Sequence, residues 1–562
     1  MSKSLRFALL GAGLLVLAGC KSGMDMSKDY YTVTPQILQA VGGEVPYIVT
    51  GTFPAKFFPK KVVCTAIPEL RWDGGSVKGE PFTLQGEKVA GNNKVVSYSD
   101  GGSFTYNGSF AYQPEMESSE LFVTFVANKK GKPVEIAPVK IADGVIATEQ
   151  LYKQTAMSAN MAPSVDSYQR IIRQAQDANI MFVIQQANVR SSETGSDAVK
   201  ALKESMKKYA SDTKNYAIEN VEVSAYASPD GGLSLNDKLA AQREDNAAKY
   251  MKGEINKAKI DAQVESKYTA QDWEGFKELV EKSNIQDKDL ILRVLSMYDD
   301  PERRESEIKN ISAVYQDLAT DILPQLRRAR LTLNYQIIGR SDEEIMDAFK
   351  TDAKVLSVDE LLYAATLTQD NAQKKAIYTT ASRYFPNDHR AFNNLGELAM
   401  IEGDLATAQQ QFKKAMSLNA QAPEANTNMG LLLLAQGNPE QAQSYFAKGG
   451  ESQENKQALG NMYIAQGQYE RALAALKGSN TNAEALAMIM TEDYAGAKKI
   501  LSAVKNADAY TSYLAAVAAA RTNDSAAVAQ NLKKAVGLDS SIKAKALKDL
   551  EFAKYLDAVR SL

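Results

Sequence analysis

Few residues of this chain of 562 residues are of the types that do catalytic or metal chemistry. It has one histidine, His389, and two cysteines, Cys20 and Cys64. A structural zinc site needs about four cysteine or histidine ligands, and a hydrolytic triad needs a histidine beside its nucleophile. No nucleophile elbow and no phosphate-binding loop is found in the sequence. We therefore expect no enzyme, no metal site and no cofactor.

Cys20 stands in a sequence that suggests a modification. Lys3 and Arg6 precede an apolar segment, residues 7–17, which is short for a membrane span and has the length of a signal-peptide core. The segment ends Leu17-Ala18-Gly19-Cys20, which resembles the lipobox of bacterial lipoproteins. The resemblance implies that the signal peptide, residues 1–19, is removed and that Cys20 carries a covalent lipid. The alternative is a plain signal peptide with a chance cysteine.

The residues that follow Cys20 indicate to which membrane such a lipoprotein is sorted. Position 21 is Lys, not the Asp that favours inner-membrane retention in the lipoprotein family, and the short stretch after it has a single acid, Asp25. The resemblance thus implies an outer-membrane lipoprotein, lipid-anchored and facing the periplasm. Each buried CH₂ of a lipid contributes about 0.8 kcal/mol to the free energy of membrane binding, so several acyl chains anchor a protein firmly. We expect residues 20–44 to be the lipidated tether.

The charge balance is nearly neutral, with 65 basic and 68 acidic side chains. It gives no bulk attraction to nucleic acid, so no nucleic-acid partner is expected.

At roughly 150 residues per domain, the length predicts about three to four domains. The resulting fold class is multidomain α+β.

Residues 45–145 are predicted to form an antiparallel β-sandwich. Phe104, Tyr106, Phe110 and Tyr112 alternate on either side of Asn107-Gly108, which predicts a hairpin turn. These aromatic residues could be cross-strand core pairs or a face that stacks on carbohydrate. Cys64 lies in another β-rich stretch and is interpreted as a small buried apolar residue.

A helical linker is predicted over residues 146–175, followed by a βαβαβ domain over 176–340. Its predicted elements are a strand at 180–184, a helix at 197–209, a strand at 221–226, a turn at 228–231, a helix at 236–251 and a strand at 323–335. The insertion before the last strand is predicted to be helical, with Trp273, Phe276, Leu279 and Val280 at core spacing.

Tyr226-Ala227-Ser228-Pro229-Asp230-Gly231, followed by Asn236, Leu239 and Arg243, resembles the OmpA C-terminal domain family. So does the later run Leu326-Arg327-Arg328-Ala329-Arg330. The resemblance implies peptidoglycan binding, in which an Asp and an Arg hold the ammonium and carboxylate of diaminopimelate. The Arg corresponds to Arg243.

The family's Asp corresponds to Ser228. A charge-assisted hydrogen bond contributes about 1.5–3 kcal/mol, so its loss weakens binding roughly tenfold to a hundredfold. Asp230 could substitute only if the turn is reshaped. Peptidoglycan binding through Arg243, Ser228 and Asp230 is therefore expected to be weak.

Residues 341–540 repeat a pattern with a period near 34 residues. Leu395, Gly396, Ala408 and Phe412 return as Met429, Gly430, Ala442 and Phe446, and then more closely spaced as Leu459, Gly460, Ala472 and Leu476. The pattern resembles the tetratricopeptide repeat (TPR) family, which implies an all-α solenoid of about five units with a concave protein-binding face. Residues 541–562 are expected to be a C-terminal capping helix.

Six residues are predicted to face the groove of this solenoid: Arg390, Asn393, Asn394, Glu397, Asn428 and Asn461. We expect Asn394 and Asn428 to point into solvent. Since the set is polar and has a single cation, it suits main-chain hydrogen bonding to an extended segment better than capture of an acidic tail.

Two functions remain open. The first is a non-catalytic scaffold that binds other envelope proteins in an outer-membrane complex through the repeats. The second is a peptidoglycan-binding tether that links the outer membrane to the cell wall. An acid at position 228 is needed only for the tether, so Ser228 favours the scaffold.

Overall fold

Strands with alternating buried and exposed residues build the N-terminal region. The structure is a computed structural model; it describes residues 24–562, and at residues 312–314 the backbone only. The strands are β1 (Tyr31–Thr34), β2 (Leu38–Gln39), β3 (Glu44–Phe53), β4 (Val62–Trp72), β5 (Gly75–Lys78), β6 (Phe82–Gly86), β7 (Lys94–Val96), β8 (Gly102–Ala111), β9 (Glu120–Lys129), β10 (Lys132–Val134), β11 (Val139–Asp143) and β12 (Val145–Ile146). One sheet has the order β1-β3-β8. The other has the order β10-β9-β4-β6-β7, with β11 beside β9 and β5 beside β4. Both contribute to one apolar core.

The described part of the predicted tether, residues 24–44, is already part of this core. β1 pairs antiparallel with β3, and β2 pairs parallel with β12. Met24 and Met26 are buried as well. The prediction was wrong because Tyr31 and Val33 alternate with threonines and bury one face of a strand. The signal peptide and Cys20 lie outside the described residues.

The predicted hairpin at Asn107-Gly108 is not formed. Both residues lie inside β8, whose ten residues all pair with β3. The side chain of Tyr47, on β3, lies over Gly108, and a β-carbon at that position would overlap it. This glycine therefore allows a close approach rather than a turn.

The predicted helical linker, residues 146–175, is helical only at its start. A 3₁₀ turn (Thr148–Leu151) leads into helix α1 (Tyr152–Met157), and no regular element follows until residue 171. Pro163 lies in this stretch and lacks the N–H that a helix interior needs.

Residues 166–367 form a compact unit of their own, here the second unit; residues 24–165 and 368–562 form the first. Its strands are β13 (Ile171–Met181), β14 (Tyr216–Tyr226), β15 (Gln263–Thr269) and β16 (Arg328–Ile338). Its helices are α2 (Ser191–Thr194), α3 (Asp197–Ser211), α4 (Leu233–Ala258), α5 (Trp273–Lys282), α6 (Lys288–Met297), α7 (Pro301–Asn310), α8 (Ser312–Asp317), α9 (Leu323–Leu326), α10 (Asp342–Asp352) and α11 (Val358–Thr366). A π-helical turn (Leu318–Ile322) joins α8 to α9.

The sheet of the second unit has the order β13-β16-β14-β15. β16 is antiparallel to both neighbours, and β15 is parallel to β14. The sequence predicted β14, but its strand at 180–184 overlaps β13 only at residues 180 and 181. It missed β15, because this edge strand is largely exposed and polar. The last strand begins at Arg328, later than predicted, since Leu323–Leu326 is helical.

The helical insertion has a small core of its own. Phe276 and Val280 of α5 are buried there together with Ile291, Leu318 and Leu326. This agrees with the core spacing in the sequence.

From residue 368 onward the chain is helical. The helices are α12 (Asn371–Tyr384), α13 (His389–Ile401), α14 (Leu405–Leu418), α15 (Pro423–Ala435), α16 (Pro439–Phe446), α17 (Gln453–Ala465), α18 (Tyr469–Leu476), α19 (Asn482–Met490), α20 (Tyr494–Ala503), α21 (Ala509–Arg521), α22 (Ser525–Leu538), α23 (Ile542–Lys548) and α24 (Leu556–Arg560). α13 to α22 pack as consecutive pairs, which we number as repeats one to five.

The repeated glycines explain how the paired helices approach. A β-carbon at Gly396 would overlap the ring of Phe412, and one at Gly430 would overlap that of Phe446. In each pair the large side chain fills the space that the glycine leaves, which explains the period in the sequence.

The predicted capping helix at 541–562 is instead three short pieces, α23, a 3₁₀ segment (Leu550–Tyr555) and α24. The break is at Asp549, whose carboxylate accepts from the backbone N–H of Glu551 and from the hydroxyl of Tyr513. The buried Tyr513 thereby holds the chain at Asp549, where the predicted helix would have continued.

Candidate functional sites

The inner helices of repeats one to three hold a segment of the chain itself. This segment, residues 158–165, is here called the strap. It follows α1 and runs along α17, α15 and α13 in turn, opposite to the order of the repeats.

Asparagine side chains bind the main chain of the strap. The N–H of Ala162 donates to Asn428 Oδ1 over 2.8 Å. The carbonyl oxygen of Ala162 accepts from Asn428 Nδ2 and Asn393 Nδ2, at 2.8 and 3.0 Å. Asn394 contacts Ser164 in the same way, accepting from its N–H at 2.8 Å and donating to its carbonyl at 2.9 Å. Asn428 and Asn394 thus each pair with a peptide group through both donor and acceptor, whereas the oxygen of Asn393 accepts from Asn428 Nδ2 at 3.0 Å.

The third repeat contacts the strap and the helix before it through side chains. Gln457 Oε1 accepts from Asn160 Nδ2 at 3.1 Å, and Asn461 Oδ1 accepts from the hydroxyl of Thr155 at 2.6 Å. Gln457 and Thr155 were not singled out in the sequence, because nothing in their spacing marks them.

The predicted exposure of Asn394 and Asn428 was wrong. Their exposed fractions are 2% and 0%, and Asn393 and Asn461 are buried too. The interpretation that the set suits main-chain hydrogen bonding agrees with the contacts, but the segment bound belongs to this chain. Buried amides without partners would be costly, and the strap supplies those partners.

The other two predicted groove residues contact the strap less. The Arg390 guanidinium pairs with Asp388 at 2.8 Å and lies 3.5 Å from the carbonyl oxygen of Val165. Glu397 is half-buried, and burial raises the pKa of its carboxyl.

A second polar contact within the first unit involves Glu149. Its carboxylate accepts from the N–H groups of Gly42 and Gly43, at 2.7 and 3.3 Å, and from the hydroxyl of Tyr469. The side chain is fully buried, and burial raises its pKa. Glu149 therefore connects the N-terminal strands β1 to β12, here called the β-region, to α18 of the third repeat.

The second unit has a cleft at the end of β14, with a volume of about 240 Å³. The three residues predicted to bind peptidoglycan, Ser228, Asp230 and Arg243, all line it. The hydroxyl of Ser228 donates to Asp230. Arg327, which the sequence did not single out for this role, pairs with Asp230 at 3.0 Å.

Arg243 supports the walls of this cleft. It is 1% exposed and donates to the carbonyl oxygens of Gln186, Tyr226 and Val183, at 3.0, 2.9 and 3.4 Å. Burial and the nearby Arg327 lower its pKa to about 10. Of the five N–H groups of a guanidinium, three are thus used and two remain.

Asn236 shapes the turn that carries Ser228 and Asp230. Its amide donates to the carbonyl oxygens of Ser228 and Gly231, at 3.0 and 3.2 Å. The helical insertion also reaches this turn, because Glu305 accepts from the N–H of Gly231 at 2.6 Å.

The aromatic residues of the N-terminal region pack against one another. Phe110 stacks on Tyr47 with ring centres 4.8 Å apart, and Tyr106 stacks on Phe82 at 4.7 Å. The aromatic alternation therefore belongs to the core. Cys64 is fully buried, as predicted, and burial raises its pKa to about 12.

Two further findings concern the part of the chain that the structure describes. No three side chains of His, Cys, Asp or Glu are grouped so as to hold a metal ion. No helix there is both long and apolar enough to cross a membrane.

Comparison with known proteins identifies part of the helical region. Residues 399–461 match the model of the tetratricopeptide repeat family. A search of curated proteins found no match to the chain.

Among solved structures, the chain is similar to a tetratricopeptide repeat protein from Parabacteroides merdae, with 16% identity and a TM-score of 0.30 over 39% of this chain and 91% of that one. It is also similar to PilW, a type IV pilus biogenesis factor, with 18% identity and a TM-score of 0.27 over 38% of this chain and 98% of that one. A thermophilic repeat protein from Thermus thermophilus gives 18% identity and a TM-score of 0.22 over 28% of this chain and 88% of that one.

Proteins with such repeats are generally non-catalytic scaffolds for protein–protein interaction. The helical region of this chain contains tetratricopeptide repeats.

Proposed function

We propose that the chain is a non-catalytic outer-membrane lipoprotein that acts as a periplasmic scaffold for other envelope proteins. The observation that carries the proposal is the set of amide side chains on the inner repeat helices, which bind an extended main chain without using charge. A surface of this kind suits recognition of polypeptide.

The lipid anchor is supported by the lipobox-like sequence Leu17-Ala18-Gly19-Cys20. Replacing Cys20 by Ala is expected to release the protein into the soluble periplasmic fraction. A protein that stays in the membrane fraction after a high-salt wash would show that lipidation is not its anchor.

The scaffold role is best tested with photo-crosslinking amino acids at exposed positions of the full chain. We expect the same envelope protein to be captured from Lys477 and Lys505, on the repeats, and not from Lys129, on the β-region. Capture from the β-region alone would place the docking surface elsewhere and contradict the proposal.

A peptidoglycan tether is the second candidate, because Ser228, Asp230 and Arg243 meet in one cleft. The pairing of Asp230 with Arg327 weighs against it, since that acid is no longer available to an ammonium group. The test is co-sedimentation of the full chain with purified peptidoglycan, comparing Asp230→Ala with the exposed control Asp261→Ala. We expect weak sedimentation of wild type, increased by Ser228→Asp; strong wild-type binding lost only in Asp230→Ala would favour the tether.

A further inference from the structure

The contacts between strap and repeats follow a period. Ser164, Ala162 and Asn160 donate to repeats one, two and three in turn, so every second strap residue donates a hydrogen bond to the next repeat. In each contact a side-chain amide oxygen of the repeat accepts a hydrogen bond from the strap. The oxygens of Asn394 and Asn428 accept from backbone N–H groups, and that of Gln457 accepts from the side chain of Asn160. An extended chain presents alternate residues to one face, which explains the step of two.

The series has a fourth amide that the strap does not reach. Continuing the step, Ser158 would contact repeat four, but the backbone N–H of Ser158 instead donates to the carbonyl of Gln154 and closes helix α1. Repeat four begins with Asn482, which is 4% exposed. Its Oδ1 has no hydrogen-bond partner among the described residues.

The orientation of the Asn482 amide is determined by its other end. Nδ2 donates to Asp508 Oδ1 over 3.1 Å, and a carboxylate can only accept there. The oxygen is therefore the end without a partner, and the group it lacks is a donor such as a peptide N–H. A buried carbonyl oxygen without a donor is rare and calls for an explanation.

Asn482 lines a cleft of about 380 Å³ that opens where the strap begins. Ser158 and Asn160 form one side, and the loops with Asn480, Lys505 and Asn506 form the other. The lining has amides, hydroxyls and one lysine, without a carboxylate or an aromatic ring. It therefore offers no stacking platform for a sugar or base and no cluster of cations for a phosphate.

We propose that this cleft docks an extended, uncharged segment of a partner protein, which donates a main-chain N–H to Asn482 Oδ1 and so continues the series of the strap. The proposal rests on the scaffold function and specifies the surface and the kind of partner. The strap indicates which occupant to expect, because repeats one to three bind this uncharged extended segment through side-chain amide oxygens like that of Asn482.

The test uses the full chain in detergent and the acetylated, amidated peptide of residues 160–165, Asn-Met-Ala-Pro-Ser-Val, with a fluorophore for anisotropy. A photoreactive methionine in the peptide maps the contact by mass spectrometry. We expect weak, saturable binding, with crosslinks to residues 478–482 or 503–506. Asn482→Ala should weaken binding about 3- to 10-fold, the effect of one hydrogen bond.

Two further variants control for damage to the fold. Asn506→Trp, on an exposed loop, should block the cleft and abolish binding while the unfolding curve stays unchanged. Asn371→Ala, at an exposed asparagine of α12, should bind the peptide as wild type does. No saturable binding, equal affinity of wild type and Asn482→Ala, or crosslinks to α13 or α15 would each overturn the proposal.

The scaffold function is tested separately, by the crosslinks from Lys477 and Lys505. If Asn482→Ala weakens binding of the peptide while capture of the envelope partner from the repeats is unchanged, the scaffold stands and its partner docks elsewhere than this peptide site. That result would also overturn the assignment of the cleft to the partner.

Discussion

The groove of the repeats and the cleft of the second unit satisfy buried polar side chains in different ways. In the groove, neutral amides pair with peptide groups of the strap through a donor and an acceptor at once. In the cleft, Arg243 donates to three carbonyl oxygens, and its charge is not neutralised by those bonds. Asp230, an acid that interacts electrostatically with Arg243, is paired with Arg327.

This difference shows what each site has left for a partner. An amide whose oxygen and nitrogen both bind the strap has no group left for a partner. The strap therefore occupies the groove of repeats one to three. A buried guanidinium that donates only to carbonyls keeps its charge and two N–H groups, so the cleft retains an attraction for an anion.

The largest expected effect is that of Arg243→Ala. It leaves three carbonyl oxygens without a charged donor in a buried site, which should destabilise the second unit by roughly 3–5 kcal/mol. The two tryptophans lie in different units, Trp72 in the first and Trp273 in the second. Urea unfolding of a Trp72→Phe background, followed by fluorescence, measures the second unit alone. Arg173→Ala, at an exposed arginine, is the control; equal curves for both variants would mean that Arg243 does not support the cleft.

Asn428→Asp should have the next largest effect. It removes two donors and puts a carboxylate against the carbonyl oxygen of Ala162 at a fully buried position, with a cost of roughly 2–4 kcal/mol. Thermal unfolding followed by circular dichroism measures the cost, and limited proteolysis should detect cleavage within residues 158–165. Asn371→Asp, on the surface of α12, should change stability by less than about 0.5 kcal/mol. An uncleaved strap and an unchanged melting curve would contradict the binding role of Asn428.

Asp230→Asn separates charge from structure in the cleft. The side chains of Arg327 and Asp230 are 12% and 17% exposed, so loss of the pair should cost roughly 1–2 kcal/mol. It also leaves Arg327 unpaired beside Arg243, so acetate should stabilise the variant more than wild type in thermal unfolding. Equal stabilisation by acetate would show that the cleft does not attract anions through these cations.

The pH dependence of Glu149 should give the smallest effect. Burial raises its pKa, so between the ordinary and the raised value the folded protein binds more protons than the unfolded one. Stability contributed by the protonated carboxyl is therefore lost as the pH rises through that range. In Glu149→Gln this part of the pH dependence should be missing. Urea unfolding at several pH values between 4 and 8 measures the free energy of unfolding of both proteins. Parallel curves for the variant and wild type would show that Glu149 does not titrate on unfolding.

Several features followed from local patterns. Gly396 and Phe412 recur one repeat later as Gly430 and Phe446, and this spacing predicted the packed helix pairs because only glycine admits the opposing ring. The turn with Ser228 and Asp230 and the helix with Arg243 were also predicted together, and they share one cleft. In both cases the interacting residues are less than 20 positions apart.

Other features were predicted wrongly because a local sequence signal has more than one structural use. Asn-Gly commonly makes a hairpin turn, but Gly108 was required by the ring of Tyr47, more than 60 residues earlier. β15 was missed because an edge strand with few buried residues has little apolar alternation.

By itself, the sequence determined the periodic elements, since the apolar and glycine positions that repeat every turn or every repeat dictate how neighbouring segments pack. Only the tertiary structure decided what lies in the groove. The strap contacts its asparagines across 230 and 266 residues of chain, and those bonds are made to its peptide groups. Because every residue except proline carries the same N–H and C=O, no side-chain pattern in the strap could indicate which segment would be bound there.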